Sequence, residues 1–199
     1  MKFNMDKQLI ICIGREYGSG GHEIAEKLSK KLDLPFYDRN LLEEVAATKD
    51  VDVNEICNYD EKPKNRIFSR TVRGFNNSPE QNIAEMQFAL LKSKAADGDS
   101  FVIVGRCSAD LFEGLAPYVS IFIHADDETR IQRIMERRNF DHRKAKIAIE
   151  RHDRKRRQYH NSFCQKKWGE TKSYDLCINS STLGIDKSVD LILDFIEKL

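Results

Sequence analysis

The chain has 199 residues, 40% of them hydrophobic and 33% charged, and a formal net charge of +1 at pH 7. This length fits one domain with its own core, and the near-zero charge gives no general reason to expect a nucleic acid or a membrane surface as a partner. The five cysteines are scattered without a CxxC pair, which argues against a disulfide framework or a zinc site and indicates a reducing, cytoplasmic environment.

The N-terminal part of the chain predicts a strand, a glycine-rich turn and a helix. An apolar run covers residues 9–13, the turn covers 14–23, and apolar residues recur at helical spacing from 24 to 32. No long apolar segment precedes the strand, so we expect neither a signal peptide nor a transmembrane helix. In this layout the backbone N–H groups at the start of the helix converge on an anion, usually a phosphate.

The turn departs from the usual phosphate-loop pattern, G-x-x-x-x-G-K-[ST], because Gly21 stands where the lysine belongs. We predict that the loop backbone still cradles phosphates and that an arginine supplies the missing charge, since a guanidinium group is planar, bidentate and always protonated. The predicted phosphate-binding residues are Tyr17, Gly18, Ser19, Gly20, Gly21 and His22, and Arg15 is one candidate for the missing charge.

Glu23 lies in the first turn of the predicted helix. A carboxylate there is useful to a triphosphate site if it holds Mg²⁺, directly or through water, because this ion takes hard oxygen ligands. The alternative is that Glu23 only complements the helix dipole. Both interpretations stay open at the level of the sequence.

Further strands and helices alternate along the chain. The predicted strands are a short one ending at Asp38, then 101–104, 119–123 and 174–178. The predicted helices are 40–47, 83–96, 108–115, a long one from Asp127 and a closing one capped by Asp186. The segment from 48 to 80 is polar and lacks a strong apolar period, so we interpret it as an insertion over the edge of the sheet.

The apolar runs are continuous rather than alternating, as in a parallel sheet that is covered on both faces. The predicted fold is therefore α/β, a doubly wound parallel sheet of about five strands flanked by helices. Ligands of such sheets lie at the carboxyl ends of the strands. Three of these ends bring glycine or arginine: the loop at 14–23, Asp38-Arg39 and Gly105-Arg106.

The predicted long helix becomes strongly basic toward its end. Between Arg137 and Arg157 there are ten lysines and arginines and three acidic residues. Arg151, Arg154 and Arg157 recur at three-residue spacing, so one helical face carries all three. Such a face either contacts phosphate or is simply solvated, and its density of arginine favours phosphate contact.

Five segments in the same order resemble the cytidylate kinase-like proteins of the nucleoside monophosphate kinase superfamily, which have a P-loop NTPase fold. They are IICIGREYGSGGHEIAEKLSKKL, VIVGRCSADL, VSIFIHADDETRIQRIMERR, ERHDRKRRQY and YDLCINSSTLGIDKSVDLI. The phosphate loop is a variant that lacks the lysine, and the pattern GREYGSGG is similar to that of the second cytidylate kinase-like family.

The resemblance implies transfer of the γ-phosphoryl group of ATP, with Mg²⁺, to a nucleoside monophosphate such as CMP or to a related small phosphorylated acceptor. It also implies one P-loop kinase domain over residues 1–199. Within it we expect a core at 1–38, 81–136 and 165–199, an acceptor-binding insertion at 39–80 and a lid at 137–164.

The same resemblance suggests roles for individual residues. Catalytic arginines would be Arg15, Arg154 and Arg157, and the metal ligand would be Glu23. Acceptor-binding residues would be Asp38, Arg39, Arg106, Arg151 and Asp153. Two alternatives stay open: Asp38 as a plain helix cap, and Arg106 as a structural ion pair rather than a phosphate clamp.

Two other functions compete with a kinase. A non-catalytic nucleotide-binding or regulatory protein could retain the fold after losing the lysine. Nucleic-acid binding through the basic segment is the weaker alternative, because no aromatic platform accompanies the charge. We expect nucleotide and small-molecule partners, no nucleic acid and no membrane; the sequence does not indicate the oligomeric state.

Overall fold

A five-stranded parallel sheet organises the chain, in the order β2-β5-β1-β6-β7. The computed structural model describes residues 8–38, 40–49, 71–72, 75–76 and 79–199. Its strands are β1 Ile10–Arg15, β2 Phe36–Tyr37, β3 Thr71–Val72, β4 Phe75–Asn76, β5 Phe101–Val104, β6 Tyr118–His124 and β7 Leu176–Asn179. Arg39 and most of the predicted insertion lie outside the described residues.

The helices are α1 Gly21–Leu32, α2 Leu41–Lys49, α3 Pro79–Ala96, α4 Ser108–Phe112, α5 Asp127–Arg138, α6 His142–Phe163 and α7 Ser180–Ile196. A 3₁₀ turn spans Thr171–Ser173. Strands β3 and β4 form a separate antiparallel pair. Among the described residues, no helix is long and apolar enough to cross a membrane.

Strand β1 is central because both of its faces are apolar. Ile11 and Ile13 pack into a core with Ile24 and Leu28 of α1 and with residues of α7. Ile10 and its neighbours face the opposite core, formed with α3 and α4. A fully buried side chain of this kind contributes about 1.5–3 kcal/mol relative to exposure. The predicted α/β fold, with parallel strands covered on both faces, is confirmed.

The prediction of one long helix from Asp127 is wrong, because the chain breaks between α5 and α6. Asn139 has φ 52°, in the left-handed region, and ends α5. Asp141 then caps α6, since its carboxylate accepts the N–H of Lys144 at 2.7 Å. The break makes α6 a separate helix that packs against α5.

The closing helix also begins earlier than predicted. Asn179 caps α7 by accepting the N–H of Ser181 at 2.9 Å, and Gly184, at φ 74° and ψ 177°, kinks the helix after its first turn. The helix resumes just after Gly184, next to the predicted start at Asp186. The Asp186 carboxylate pairs with Lys27 of α1 at 2.7 Å.

Candidate active site

The glycine-rich loop joins the end of β1 to the start of α1. Gly18 and Gly20 have φ +84° and +80°, a conformation that glycine adopts without steric cost. The space beside both residues is filled, because a Cβ on Gly20 would collide with Cδ1 of Ile185 and one on Gly18 would lie 3.0 Å from the carbonyl oxygen of Arg130. Glycine is therefore required here for backbone conformation and for close packing.

Side chains from neighbouring helices bind carbonyl groups of the loop, whereas several of its N–H groups have no partner in the residues that the structure describes. The carbonyl of Ser19 accepts from Nη1 of Arg133 at 3.0 Å and from Oγ of Ser180 at 2.5 Å. Within the described part of the chain, the N–H groups of Gly20, His22 and Glu23 have no acceptor. Unpaired N–H groups at a helix N-terminus form an anion-binding site, which is what the sequence predicts for this loop.

There is no room for a side chain at Gly21, the position of the consensus lysine. A Cβ on Gly21 would lie 2.5 Å from Cβ of Arg15 and 3.2 Å from Cβ of Ile123. Arg15 is 7% exposed, and its Nη2 lies 3.9 Å from the carboxylate of Asp38. The missing lysine is thus accompanied by a buried arginine that packs directly against the same position.

Asp38 contacts basic side chains from three parts of the chain: Arg15 of β1, His22 of α1 and Arg106 after β5. Nδ1 of His22 lies 3.1 Å from its carboxylate, and Nη2 of Arg106 donates to its backbone carbonyl at 3.3 Å. Burial alone would raise the pKa of Asp38, but the hydrogen bond from His22 and the charges of Arg15 and Arg106 outweigh it and lower this pKa to about 2. The carboxylate is therefore ionised at neutral pH. Asp38 thus contacts two guanidinium groups beside the loop, Arg15 through its carboxylate and Arg106 through its backbone carbonyl.

A second ion-pair network, which the sequence did not reveal, supports the loop from α5. Arg130 is 5% exposed, and its Nη1 lies 3.3 Å from Glu16. Its Nε donates to the carbonyl of Tyr17 at 2.9 Å, and its Nη2 pairs with Asp153 of α6. Asp153 also accepts the N–H of Tyr17 at 2.7 Å. This predicted acceptor residue thus contacts the loop and α5.

Arg130 and Arg133 are spaced three residues apart, so one face of α5 presents both to the loop. This spacing was readable in the sequence. It was missed because the basic segment was counted only from Arg137 onward, where the density of charge rises.

The face of α6 that contacts the loop carries His152, Asp153 and Arg156. The His152 ring stacks on Tyr17, with centroids 4.1 Å apart and 13° between the planes. Arg156 donates to the carbonyl of Arg15 at 3.5 Å.

The three arginines of α6 that the sequence predicts as phosphate ligands are placed differently from Arg156. Arg151 and Arg154 are exposed, and Arg157 lies over the Trp168 ring at 5.2 Å. Their contact with phosphate stays a prediction, and Arg156 is an arginine of this helix that sequence reasoning missed.

Glu23 is 57% exposed, and its carboxylate lies 3.3 Å from Nζ of Lys27. In the consensus, the residue directly after the lysine carries the hydroxyl group that binds Mg²⁺. Because Gly21 occupies the lysine position, the corresponding residue in this chain is His22. Mg²⁺ in phosphate sites keeps several waters and uses one or two carboxylates plus substrate oxygens. A single exposed carboxylate beside the loop fits such a role, which stays a prediction.

A cavity of about 520 Å³ opens next to the loop, between α6 and the carboxyl ends of β6 and β7. Glu16, His124, Arg157 and Trp168 are among its lining residues. This volume lies within the range of small-molecule sites, which are typically about 300–1,000 Å³. A cavity of small-molecule size thus lies beside Glu16, at the edge of the loop.

We expect His152 to reduce the stability of the protein as the pH falls from about 6.5 to about 4. Burial, together with the charges of Arg156 and Arg151, lowers the pKa of His152 to about 4. As the pH falls, His152 is therefore protonated in the unfolded chain before it is protonated in the folded protein. The loss of stability is absent above the unfolded pKa of about 6.5 and develops as the pH falls from there to about 4. Urea unfolding at a series of pH values measures it.

The matched variant for this measurement is His152→Phe, which keeps a ring against Tyr17 but does not titrate. Its free energy of unfolding should fall less between neutral pH and about pH 4.5 than that of the unmodified protein. Equal slopes for the two proteins over this range would contradict the assignment.

A parallel sheet in this order, with a glycine-rich loop between β1 and α1, defines a P-loop kinase fold. Residues 10–182 match the model of the cytidylate kinase-like family. The chain belongs to this family. A search of curated proteins found no match.

Solved structures agree with this fold. An uncharacterized protein from Eubacterium ventriosum is 34% identical, with a TM-score of 0.77, over 96% of this chain and 100% of that one. The shikimate kinase of Bacteroides thetaiotaomicron is 14% identical, with a TM-score of 0.56, over 95% and 98% of the two chains. That of Acinetobacter baumannii, solved with shikimate, is 12% identical, with a TM-score of 0.51, over 97% and 94%.

Proposed function

We propose that the protein is an ATP-dependent phosphotransferase that moves the γ-phosphoryl group of ATP to a nucleoside monophosphate, CMP or a close analogue, or to a related small phosphorylated acceptor. The observation that carries this proposal is the pair of buried arginines, Arg15 and Arg106, held by one ionised aspartate beside the loop. A site for ATP alone has less need of a second fixed guanidinium group at a neighbouring strand end.

Phosphoryl transfer needs chiefly positioning and positive charge around the transferred group. In the proposed mechanism the N–H groups of Gly20, His22 and Glu23 bind the phosphates of ATP. Arg15, which packs against the lysine position, supplies the charge that the lysine would have supplied.

Arg106 is proposed to bind the phosphate of the acceptor. It follows β5, next to β1 in the sheet, and is 1% exposed. Because Asp38 already fixes Arg15 and Arg106, neither guanidinium group has to reorganise when charge develops, which is the basis of electrostatic preorganisation.

The predicted lid residues complete the proposed site. Arg154 and Arg157 would approach the phosphates when the lid closes and would exclude water. Mg²⁺, bound by Glu23 through water together with the phosphates, would neutralise charge on the β- and γ-oxygens. The Asp153 carboxylate, paired with Arg130, would set the position of the lid over the loop.

The experiment is a turnover assay with ATP, Mg²⁺ and a panel of nucleoside monophosphates and small phosphorylated metabolites, following ADP formation. We expect turnover with at least one acceptor and a loss of about 100-fold or more in kcat/KM in Arg106→Lys, which keeps the charge but loses the bidentate fork.

The matched control is Arg137→Lys, an exposed arginine in the last turn of α5. It should leave turnover unchanged, and thermal unfolding of both variants separates a folding defect from a binding defect. ATP binding without turnover across the whole panel would overturn the kinase proposal and favour a non-catalytic nucleotide-binding protein.

A further inference from the structure

Cys107, His160 and Cys164 form a cluster that the phosphotransferase proposal does not use. Cys107 lies between β5 and α4, whereas His160 and Cys164 lie at the end of α6. The two sulfur atoms and one imidazole nitrogen of His160 all lie within 4.8 Å of one another. The sequence argued against a zinc site because the cysteines are scattered without a CxxC pair, but the fold brings these three residues together.

The cluster is enclosed and its histidine is already oriented. Cys107 and Cys164 are 5% and 8% exposed. Nε2 of His160 lies 3.0 Å from the carbonyl oxygen of Lys166. A carbonyl can only accept, so Nε2 carries the proton and Nδ1 keeps a lone pair. Metal-bound histidines usually donate their second ring N–H in this way.

The backbone around the cluster is held independently of any ligand. Asp110 of α4 accepts the N–H groups of Gln165 and Lys166 at 2.8 and 3.4 Å, which ties the chain after Cys164 to the helix that follows Cys107. Cys107 itself has φ 53°, a conformation that is uncommon for residues other than glycine and is often found at functional sites.

We propose that Cys107, His160 and Cys164 bind one Zn²⁺ ion through two thiolates and one neutral imidazole. Thiolate and imidazole are the ligands that zinc prefers, and two thiolates cancel its charge in a buried site. Cys107 and His160 also help to line a cavity of about 40 Å³, which would leave room for a fourth ligand. That volume is enough for at least one water molecule, which needs roughly 10–15 Å³.

Binding exchanges protons for metal: Zn²⁺ displaces one proton from each thiol, and two protons pass to the solvent. Because two protons are released, the affinity for zinc should increase with pH.

The bound ion would join the end of α6 to the segment that follows β5. Arg106 immediately precedes Cys107, so the ion would fix the base of the predicted lid next to the proposed acceptor residue. The zinc site itself does not depend on the proposed function, because binding is measured without ATP or an acceptor.

The test uses the full-length protein, purified under reducing conditions and dialysed, with zinc measured by mass spectrometry of the metal. We expect one zinc per chain. Cys107→Ser, His160→Gln and Cys164→Ser should each weaken zinc binding by roughly 100-fold or more, since even the loss of a residue that only orients a ligand costs about 10–100-fold. Cys177→Ser, at a half-buried cysteine in β7 outside the cluster, should keep the full zinc content.

Cobalt substitution keeps the proposal falsifiable if a variant fails to fold. Co²⁺ added to the folded, metal-free wild-type protein should produce a thiolate-to-cobalt absorption band, and zinc should abolish it. A folded wild-type protein that retains no zinc and gives no such band would overturn the proposal. So would a Cys107–Cys164 disulfide found in the protein under reducing conditions.

Discussion

Arg130→Met is expected to lower the free energy of unfolding by about 4 kcal/mol, because it removes one partner from a buried ionic network. Methionine fills part of the space but leaves Glu16 and Asp153 without their shared cation. Burial already raises the pKa of Glu16 even with Arg130 present. Urea unfolding at neutral pH measures the loss.

The matched control is Arg137→Met, on the exposed side of the same helix, which should change stability by less than about 0.5 kcal/mol. The pH provides a second check. As the pH falls through the pKa of Glu16, its unpaired carboxylate takes up a proton, so the difference in stability between Arg130→Met and the unmodified protein should narrow. A loss below about 1 kcal/mol at neutral pH would show that Arg130 does not hold the network.

Gly21→Ala is expected to destabilise the protein by about 2 kcal/mol, although alanine is the better helix former by about 1 kcal/mol. The new Cβ would lie 2.5 Å from Cβ of Arg15, an atom fixed to the backbone of β1. Overpacking of this kind costs about 3 kcal/mol, which exceeds the gain in helix propensity. Thermal and urea unfolding both report the change.

A double-mutant cycle tests the cause. Arg15→Gly removes the opposing Cβ, so Gly21→Ala in that background should cost about 2 kcal/mol less than in the unmodified protein. If the two substitutions prove additive, contact between positions 15 and 21 is not the reason that Gly21 replaces the lysine. Gly21→Lys should be at least as destabilising as Gly21→Ala, since it contains the same Cβ.

The fold could be predicted from local patterns because most of them agree with the global structure. Residues 101–104 form a continuous apolar run, and the structure has β5 at the same four positions. The helix break at Asn139 and the early start of α7 were missed because each depends on a single backbone conformation. Charge and apolar periodicity do not report such a conformation.

In the candidate site, too, some residues could be predicted from local patterns and others depend on tertiary packing. Arg15, Asp38 and Arg106 were named from their places at strand ends, and the parallel sheet brings strand ends together. Arg130 and Arg156 come from helices whose orientation depends on tertiary packing, so their spacing alone does not show that they face the loop. The Cys107–Cys164 pair was missed for the same reason, since 57 residues separate the two positions.

The hydrogen bond from Tyr17 N–H to Asp153 has a consequence for ligand affinity. A phosphate that uses this N–H must displace a carboxylate that already occupies it. A ligand that uses this N–H would therefore bind only the conformation in which the contact is broken. The apparent dissociation constant of such a ligand equals its intrinsic value divided by the fraction of the protein in that conformation. Because Arg130 pairs with Asp153, it favours the intact contact, so Arg130→Met should increase the fraction with this N–H available.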